Sequence, residues 1–457
     1  MANIINFLKK HKYKFFIIIL FVFILAFIGL WSIVSGGYDK QNKAILFLKE
    51  FIPSKIAREV RNTVFIIPDL KERNKFLELV MQKYDQKLNG EIFNKKTLVS
   101  SKDKKEYLFK EFFLPFRRLD LRLGWAATTN TFRKHYFDIV NNKVLVISGE
   151  GQTIYFNKKN IYEKKLNQKI IPNNINSIFE KNNFEPMGIR DLFIDDKKVY
   201  ISLYYKIENK FSMNVYSADL DFNELKFEIF FESNEFWDRW TPRTGGRIEK
   251  FKDNKILLSL GDGAQKNISQ NENSLLGKII SIDKDTKEYK IMSMGHRNPQ
   301  GLYYIKDLNL IINTEHGPKG GDEVNINKME DNIIPNFGWD ISSYGTEYGG
   351  KDPYKKSHIE YGFVEPFKNY TPSIGVSQIS YVSEKSNNRK YLYVSSLRAG
   401  SIYIIETDNA VNKIINEDRL YFSERRIRDI KFDKEDKIFF LLFDNIPSMG
   451  TLKLESR

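Results

Sequence analysis

The feature that most constrains this chain is a loose sixfold repetition. The unit is a short apolar strand, a turn rich in Asp, Asn or Lys, a second apolar strand, and a third further on. Copies run from Tyr136 to Phe156, from Ile189 with a companion strand at Val215, and from Gly246 with one at Gly277. Three more start at Gly301 (companion Asp322), at Gln378, and at Ile427 (companion Gly450). Starts lie roughly 50 residues apart, with one longer gap after the fourth copy. Repeated β units of about 40–50 residues are the mark of propeller blades. One blade cannot bury both of its faces, so blades close into a ring. The fold expected is all-β, a six-bladed β-propeller over residues 121–457.

Composition supports this and excludes other classes. The chain has 457 residues, 42% hydrophobic and 14% aromatic, which is globular rather than disordered. Its 26 glycines sit largely in turns between apolar runs. Net charge is +14, but the lysines are scattered among acids with no basic stripe, so no nucleic-acid partner is expected. With no cysteine, disulfides, thiolate metal sites and Cys nucleophiles are excluded.

Ahead of the repeats, residues 15–34 form an uninterrupted apolar run, FFIIILFVFILAFIGLWSIV. About 20 such residues span hydrocarbon. Lys9, Lys10, Lys12 and Lys14 precede it, so residues 1–14 are expected in the cytoplasm and the propeller outside it, tethered by an uncleaved helix. Residues 35–120 read as a helical linker region. Leu70, Phe76, Leu77, Val80, Met81, Tyr84 and Leu88 recur at helical intervals after Asp69, a capping residue.

Polar groups able to do chemistry concentrate late in the chain. Gly295 to Gly301 reads GHRNPQG, Glu315 to Asn325 reads EHGPKGGDEVN, Asn336 to Asp340 reads NFGWD, and Arg426 to Asp429 reads RIRD. Propellers place ligand sites in loops around the central channel. Arg426 and Arg428, two apart on a strand, face one side and with Arg297 can form a pocket for a polycarboxylate. Asp322 and Glu323 offer the oxygens Ca²⁺ prefers, and Gly317-Pro318 can expose backbone carbonyls to a second ion. Taken singly, such arginines are more often salt-bridged, an Asp-Glu pair more often a turn, and His296 or His316 more often structural.

Together and in this order, these motifs resemble the glucose/sorbosone dehydrogenase family over roughly residues 125–457, most clearly from Gly245 onward. The resemblance implies pyrroloquinoline quinone (PQQ) bound with Ca²⁺ at one end of the channel, and oxidation of a sugar at its anomeric carbon. Arg297 and Asn298 match residues that contact the quinone oxygens. Gly317 and Pro318 match carbonyl ligands of the cofactor's calcium. Asp322 and Glu323 match an acidic pair, Glu323 a ligand of a structural calcium. Arg398 stands where the family has a cofactor-contacting Lys, and Arg426 and Arg428 match the arginines that clamp the cofactor's carboxylates. One position departs. The family's general base, a His, falls on Arg243, and arginine stays protonated to above about pH 12. Asp238 is the other acid or base nearby. Two functions therefore stay open: a membrane-anchored PQQ-dependent sugar dehydrogenase with an altered base, or a catalytically degenerate propeller that binds carbohydrate or protein at the cell envelope.

Overall fold

The computed structural model describes residues 90–116, 134–329, 333–348, 352–384, 389–423, 425–444 and 446–454. The expected membrane span at 15–34 and the helical spacing after Asp69 lie outside these residues. No helix among the described residues is long and apolar enough to cross a membrane.

Among the described residues there are six antiparallel sheets, and each contains one of the six sequence copies. Their innermost strands are His135–Val140, Glu185–Asp195, Gly245–Phe251, Pro299–Ile305, Val376–Glu384 and Ile427–Asp433, taken here as blades one to six. Blades one to five each contain four strands in sequence order. The strands form because their residues alternate between faces that both become buried. In blade one, Tyr136 and Leu145 pack towards blade two, while Phe137, Val144 and Val146 pack towards blade six. The apolar core is accordingly divided into six clusters, one at each blade interface. This is the burial that no blade achieves alone.

The sixth blade corrects the expected domain boundary. Its own segment supplies three strands, Ile427–Asp433, Ile438–Phe443 and Ser448–Leu454. The fourth is Glu106–Phe113, which pairs with Ser448–Leu454 in the register Phe109 with Leu452, and Ile92–Val99 adds a fifth outside it. The end of the region read as helical linker is therefore β structure, and the compact unit begins at Asn89 rather than 121. The physical reason is alternation: Tyr107 and Phe109 enter the interface with blade five, and Phe112 enters the one with blade one. Closing the ring with a strand from the other end of the unit removes two free sheet edges. A buried latch accompanies it: Glu111, fully buried, accepts from Arg425 Nε at 3.0 Å and from Ser448 Oγ at 2.8 Å.

Polar side chains also tie blade to blade near the axis. Asp138 accepts the Ile194 amide at 2.7 Å, and Asp191 accepts the Ile248 amide at 2.8 Å. Arg247 Nη1 reaches Asp191 of blade two at 3.0 Å and Asp429 of blade six at 2.9 Å. The longer gap after the fourth copy is an insertion between the strands Asp322–Asn327 and Lys368–Tyr370. It carries Trp339 and His358 to the site described next.

Candidate functional site

The predicted residues lie at or just before the starts of the innermost strands, or in the loops between the inner strands of blades three to six. A strand that leads out of a loop fixes the direction of the side chains at its start, which is how a propeller builds a rigid site from loop residues. Three groups of contacts make up the site.

The first surrounds Arg243. Its Nε meets Asp262 Oδ1 at 3.1 Å, with Asp262 1% exposed. Asp262 also accepts the Trp339 indole N–H at 2.7 Å and the Ala264 amide at 2.8 Å. Arg243 and Arg297 both lie over the Trp339 ring, at 6.0 and 5.2 Å from its centroid. Burial pushes the Asp262 carboxyl up from its ordinary value against the pull of Arg243 and Arg297. Asp238, the alternative base, is instead exposed and faces Lys210 at 3.9 Å.

The second group binds blade four to blade six. Arg428 is buried and grips Asp444 with two bonds, Nε at 3.0 Å and Nη2 at 2.8 Å, while its Nη1 donates to Gln300 Oε1 at 3.0 Å. Gln300 Nε2 donates in turn to Asn298 Oδ1 at 3.0 Å. Arg426 stands further from the same Asp444, at 3.8 Å. Arg428, buried, and Arg426, partly exposed, thus approach one acid, and Asp444 is held as a carboxylate by Arg428 in spite of its burial. Arg398 is exposed on the loop between Arg389–Ser396 and Ser401–Thr407.

The third group is the Glu315–Asn325 turn. His296 is fully buried between Glu315 Oε1 and Ser293 Oγ, each at 2.8 Å, and stacks on Phe337 at 5.0 Å. It positions Glu315, whose other oxygen accepts the Arg297 amide at 2.7 Å. His296 thus has a structural role. Arg297 Nη1 donates to the His316 carbonyl at 3.0 Å, and Arg297 Nε is buried without a partner. Asp322 braces the turn: its oxygens accept the amides of Gly317, Gly375 and Val376. Glu323 differs. It is buried, pairs across the ladder with Glu315, and receives only Asn325 Nδ2 at 3.3 Å, with His358 Nε2 at 3.6 Å. Burial and then Glu315 push its carboxyl well above the usual range. Asn325 Oδ1 nearby has no partner. Gly317 packs so tightly that an added Cβ would lie 2.1 Å from the Gly321 carbonyl oxygen, so the turn needs glycine there. The Pro318 carbonyl accepts the Tyr348 hydroxyl at 3.4 Å. A small cavity lies between Arg297, His316, Gly317, Glu323 and Trp339. Among the described residues no group of three or more His, Asp or Glu is placed to hold a metal ion.

Sequence reasoning missed Asp262 and Asp444. Asp262 sits in Gly261-Asp262-Gly263, which reads as a simple turn; its signal is that it follows the apolar strand Lys255–Leu260, whose end pairs with Gly245 beside the Arg243 turn. Asp444 has no motif of its own.

The sequence profile described as Glucose / Sorbosone dehydrogenase matches residues 187–448. The aldose sugar dehydrogenase YliI of Escherichia coli is 27% identical over 43% of this chain, a stretch that spans 56% of that protein. The protein slr1608 of Synechocystis is 26% identical over 59% of this chain and 70% of its own length. Among solved structures, the soluble aldose sugar dehydrogenase of Escherichia coli in its apo form superposes with a TM-score of 0.56, at 21% identity over 71% of this chain and 95% of that one. The PQQ-bound aldose sugar dehydrogenase of Streptomyces coelicolor gives a TM-score of 0.50 at 17% identity, over 71% of this chain and 99% of that one. The profile spans more than half of the chain and covers blades two to six with every motif of the site, so the chain belongs to the glucose/sorbosone dehydrogenase family.

Proposed function

We propose that this protein is a PQQ-dependent sugar dehydrogenase that acts on aldoses. The observation that carries the reading is the cationic end of the channel. Arg297, Arg426 and Arg428 converge there with Asn298 and Gln300, and Arg297 keeps a buried Nε–H without an acceptor. An orphaned guanidinium donor in a closed site suits an anionic, oxygen-rich ligand. PQQ, when bound, supplies a quinone carbonyl carbon that accepts hydride from the sugar.

The rest of the chemistry falls to the chain. Arg297 donates toward a quinone oxygen and Trp339 walls the site against water. Arg426 and Arg428 hold carboxylates. Arg398 reaches the rim from its exposed loop. Of the acidic pair, Glu323 is the better calcium ligand, since a cation would offset the burial of a second carboxylate beside Glu315. Gly317 and Pro318 would add carbonyl oxygens, and Asp322 would hold the turn. The apolar run at 15–34 would anchor the propeller at the outer face of the cell membrane.

Arg243 favours a second reading. The base position holds a cation already paired with a buried carboxylate, so no free base stands there. A propeller of this kind could retain its ligand and lack turnover. Purified protein mixed with PQQ and Ca²⁺ separates the readings. A bound-quinone spectrum with dye reduction by aldoses supports the enzyme. A spectrum without turnover, restored in Arg243→His but not in Arg243→Ala, supports the degenerate site. Absence of any bound quinone refutes both cofactor-based readings.

A further inference from the structure

Two cations at the same end of the channel remain without a counter-charge. Arg190 stands on the innermost strand of blade two and is 1% exposed. Its Nη2 donates to the Pro242 carbonyl at 3.3 Å, directly under the turn that carries Arg243, while Nε and Nη1 have no partner. An added Cβ on Gly246 would come within 2.5 Å of Arg190 Cβ, so the two blades meet closely here and the guanidinium cannot swing out past that turn. Lys134, 6% exposed, immediately precedes the innermost strand of blade one. It makes no ion pair with any described residue. Four charges act on it: Arg190, Arg428 and Arg426, and one acid, Asp444.

The neighbouring charges make the imbalance plain. Arg247 is answered by Asp191 and Asp429. Asp444 is shared by Arg428 and Arg426. Nothing is left for Lys134 or Arg190. Burial together with these like charges pushes the Lys134 ammonium well below the ordinary lysine range, which shows how costly the arrangement is without an anion. A fold held for stability alone would replace such residues, because a buried uncompensated cation weakens the folded state.

We propose that Lys134 and Arg190 are ligand-binding residues that extend the Arg426–Arg428 pocket into a four-cation site for a compact polycarboxylate. This rests on the cofactor reading above, with PQQ as the polycarboxylate. Arg190 supplies two donors from the blade-two side of the channel and Lys134 one from blade one. Arg428 already commits three of its five N–H groups to Asp444 and Gln300, so Lys134 and Arg190 would supply much of the remaining contact to a ligand carboxylate.

The test is calorimetric titration of PQQ into the Ca²⁺-supplemented protein and into Lys134→Gln and Arg190→Gln, with thermal melts of each protein before ligand is added. Each variant should bind PQQ about tenfold or more weakly, as expected for loss of a charge-assisted hydrogen bond. Each ligand-free variant should melt at or above the wild-type temperature, because a buried charge has been removed. Affinity within twofold of wild type in both variants overturns the proposal while leaving the cofactor reading intact. A lower melting temperature with unchanged affinity would assign the two residues a structural role instead. If the wild type binds no PQQ, melts in citrate decide. Stabilisation by citrate that both variants lose keeps the anion site and rejects the cofactor, and no stabilisation rejects both. Should Arg190→Gln fail to fold, Lys134→Gln alone decides.

Discussion

Replacing Arg243 with Met should weaken the fold in a way that depends on pH. Met keeps most of the side-chain volume and removes the charge. Asp262 then keeps the Trp339 and Ala264 hydrogen bonds but loses the guanidinium 3.1 Å away. Breaking a fully buried pair costs about 3–5 kcal/mol. Arg243 is 20% exposed on its side chain and Arg297 also acts on Asp262, so a cost below that range, about 2–3 kcal/mol, applies here. At about 2 cal/mol/K per residue, the unit from Asn89 to Arg457 should then melt about 3–4 °C lower. The sign with pH follows from linkage. The folded Asp262 carboxyl already titrates above its ordinary value, and loss of Arg243 raises it further. A raised carboxyl binds its proton more tightly in the folded state; both proteins lose stability alike from the unfolded value of about 3.9 up to the wild-type folded value, so the deficit grows as pH rises from that value to the higher folded value of the variant and levels off above it. Melts of wild type, Arg243→Met, Asp262→Asn and the double variant, taken between pH 4 and 8, give the pair's coupling directly. A deficit that does not change with pH, or effects that simply add, would refute the pairing and with it the argument that the base position is occupied by an ion pair.

Glu111→Ala removes the latch on the ring-closing strand and leaves Arg425 buried; a melting temperature lower by about 4–6 °C is expected, as for a broken buried pair, and a loss under 1 °C would mean the strand is held by its ladder alone. Ca²⁺ should raise the melting temperature and chelator reverse the gain, with Glu323→Gln abolishing the response. Without metal, the raised Glu323 carboxyl makes stability fall as pH rises through its folded value, and Glu323→Gln should flatten that slope; an unchanged slope would place the titration elsewhere. Protease added to spheroplasts should digest the propeller if the 15–34 run anchors it outside, and its protection would exclude that topology.

The blades were legible because each repeats its own alternation within a short span of sequence. The ring-closing strand was not, because nothing local marks it. Its stretch KKEYLFKEFF mixes charges with apolar residues in a spacing that also suits a helix, and its ladder partner lies more than 300 residues away. The arginines of the site were legible as members of dense motifs. Their acids were not: Asp262 looks like a turn residue, and Asp444 joins Arg428 only when the last hairpin folds back. Lys134 and Arg190 show the same limit from the other side. A single cation in a sequence is read as surface, and only burial without a counter-charge gives it meaning.

The position of the site has a structural cost that the ring topology allows. Between blades three and four the fully buried apolar cluster is only Phe251, Leu257, Ile279, Leu302 and Ile311, far smaller than at the other five interfaces. Polar pairs also cross this joint, His296 with Ser293 and Asn327 with the Met292 carbonyl, and within blade four His296 and Asn325 in turn hold Glu315. Such a network is stable only while every member is satisfied, so an open sheet would be prone to part at this joint. In a closed ring, blades three and four are each also held by an apolar interface on the far side, and separating them requires the latch at Glu111 or another interface to yield as well. The ring therefore lets one joint hold buried carboxylates and an orphaned Arg297 donor, groups that a ligand could use and that an isolated sandwich of this size would not readily tolerate.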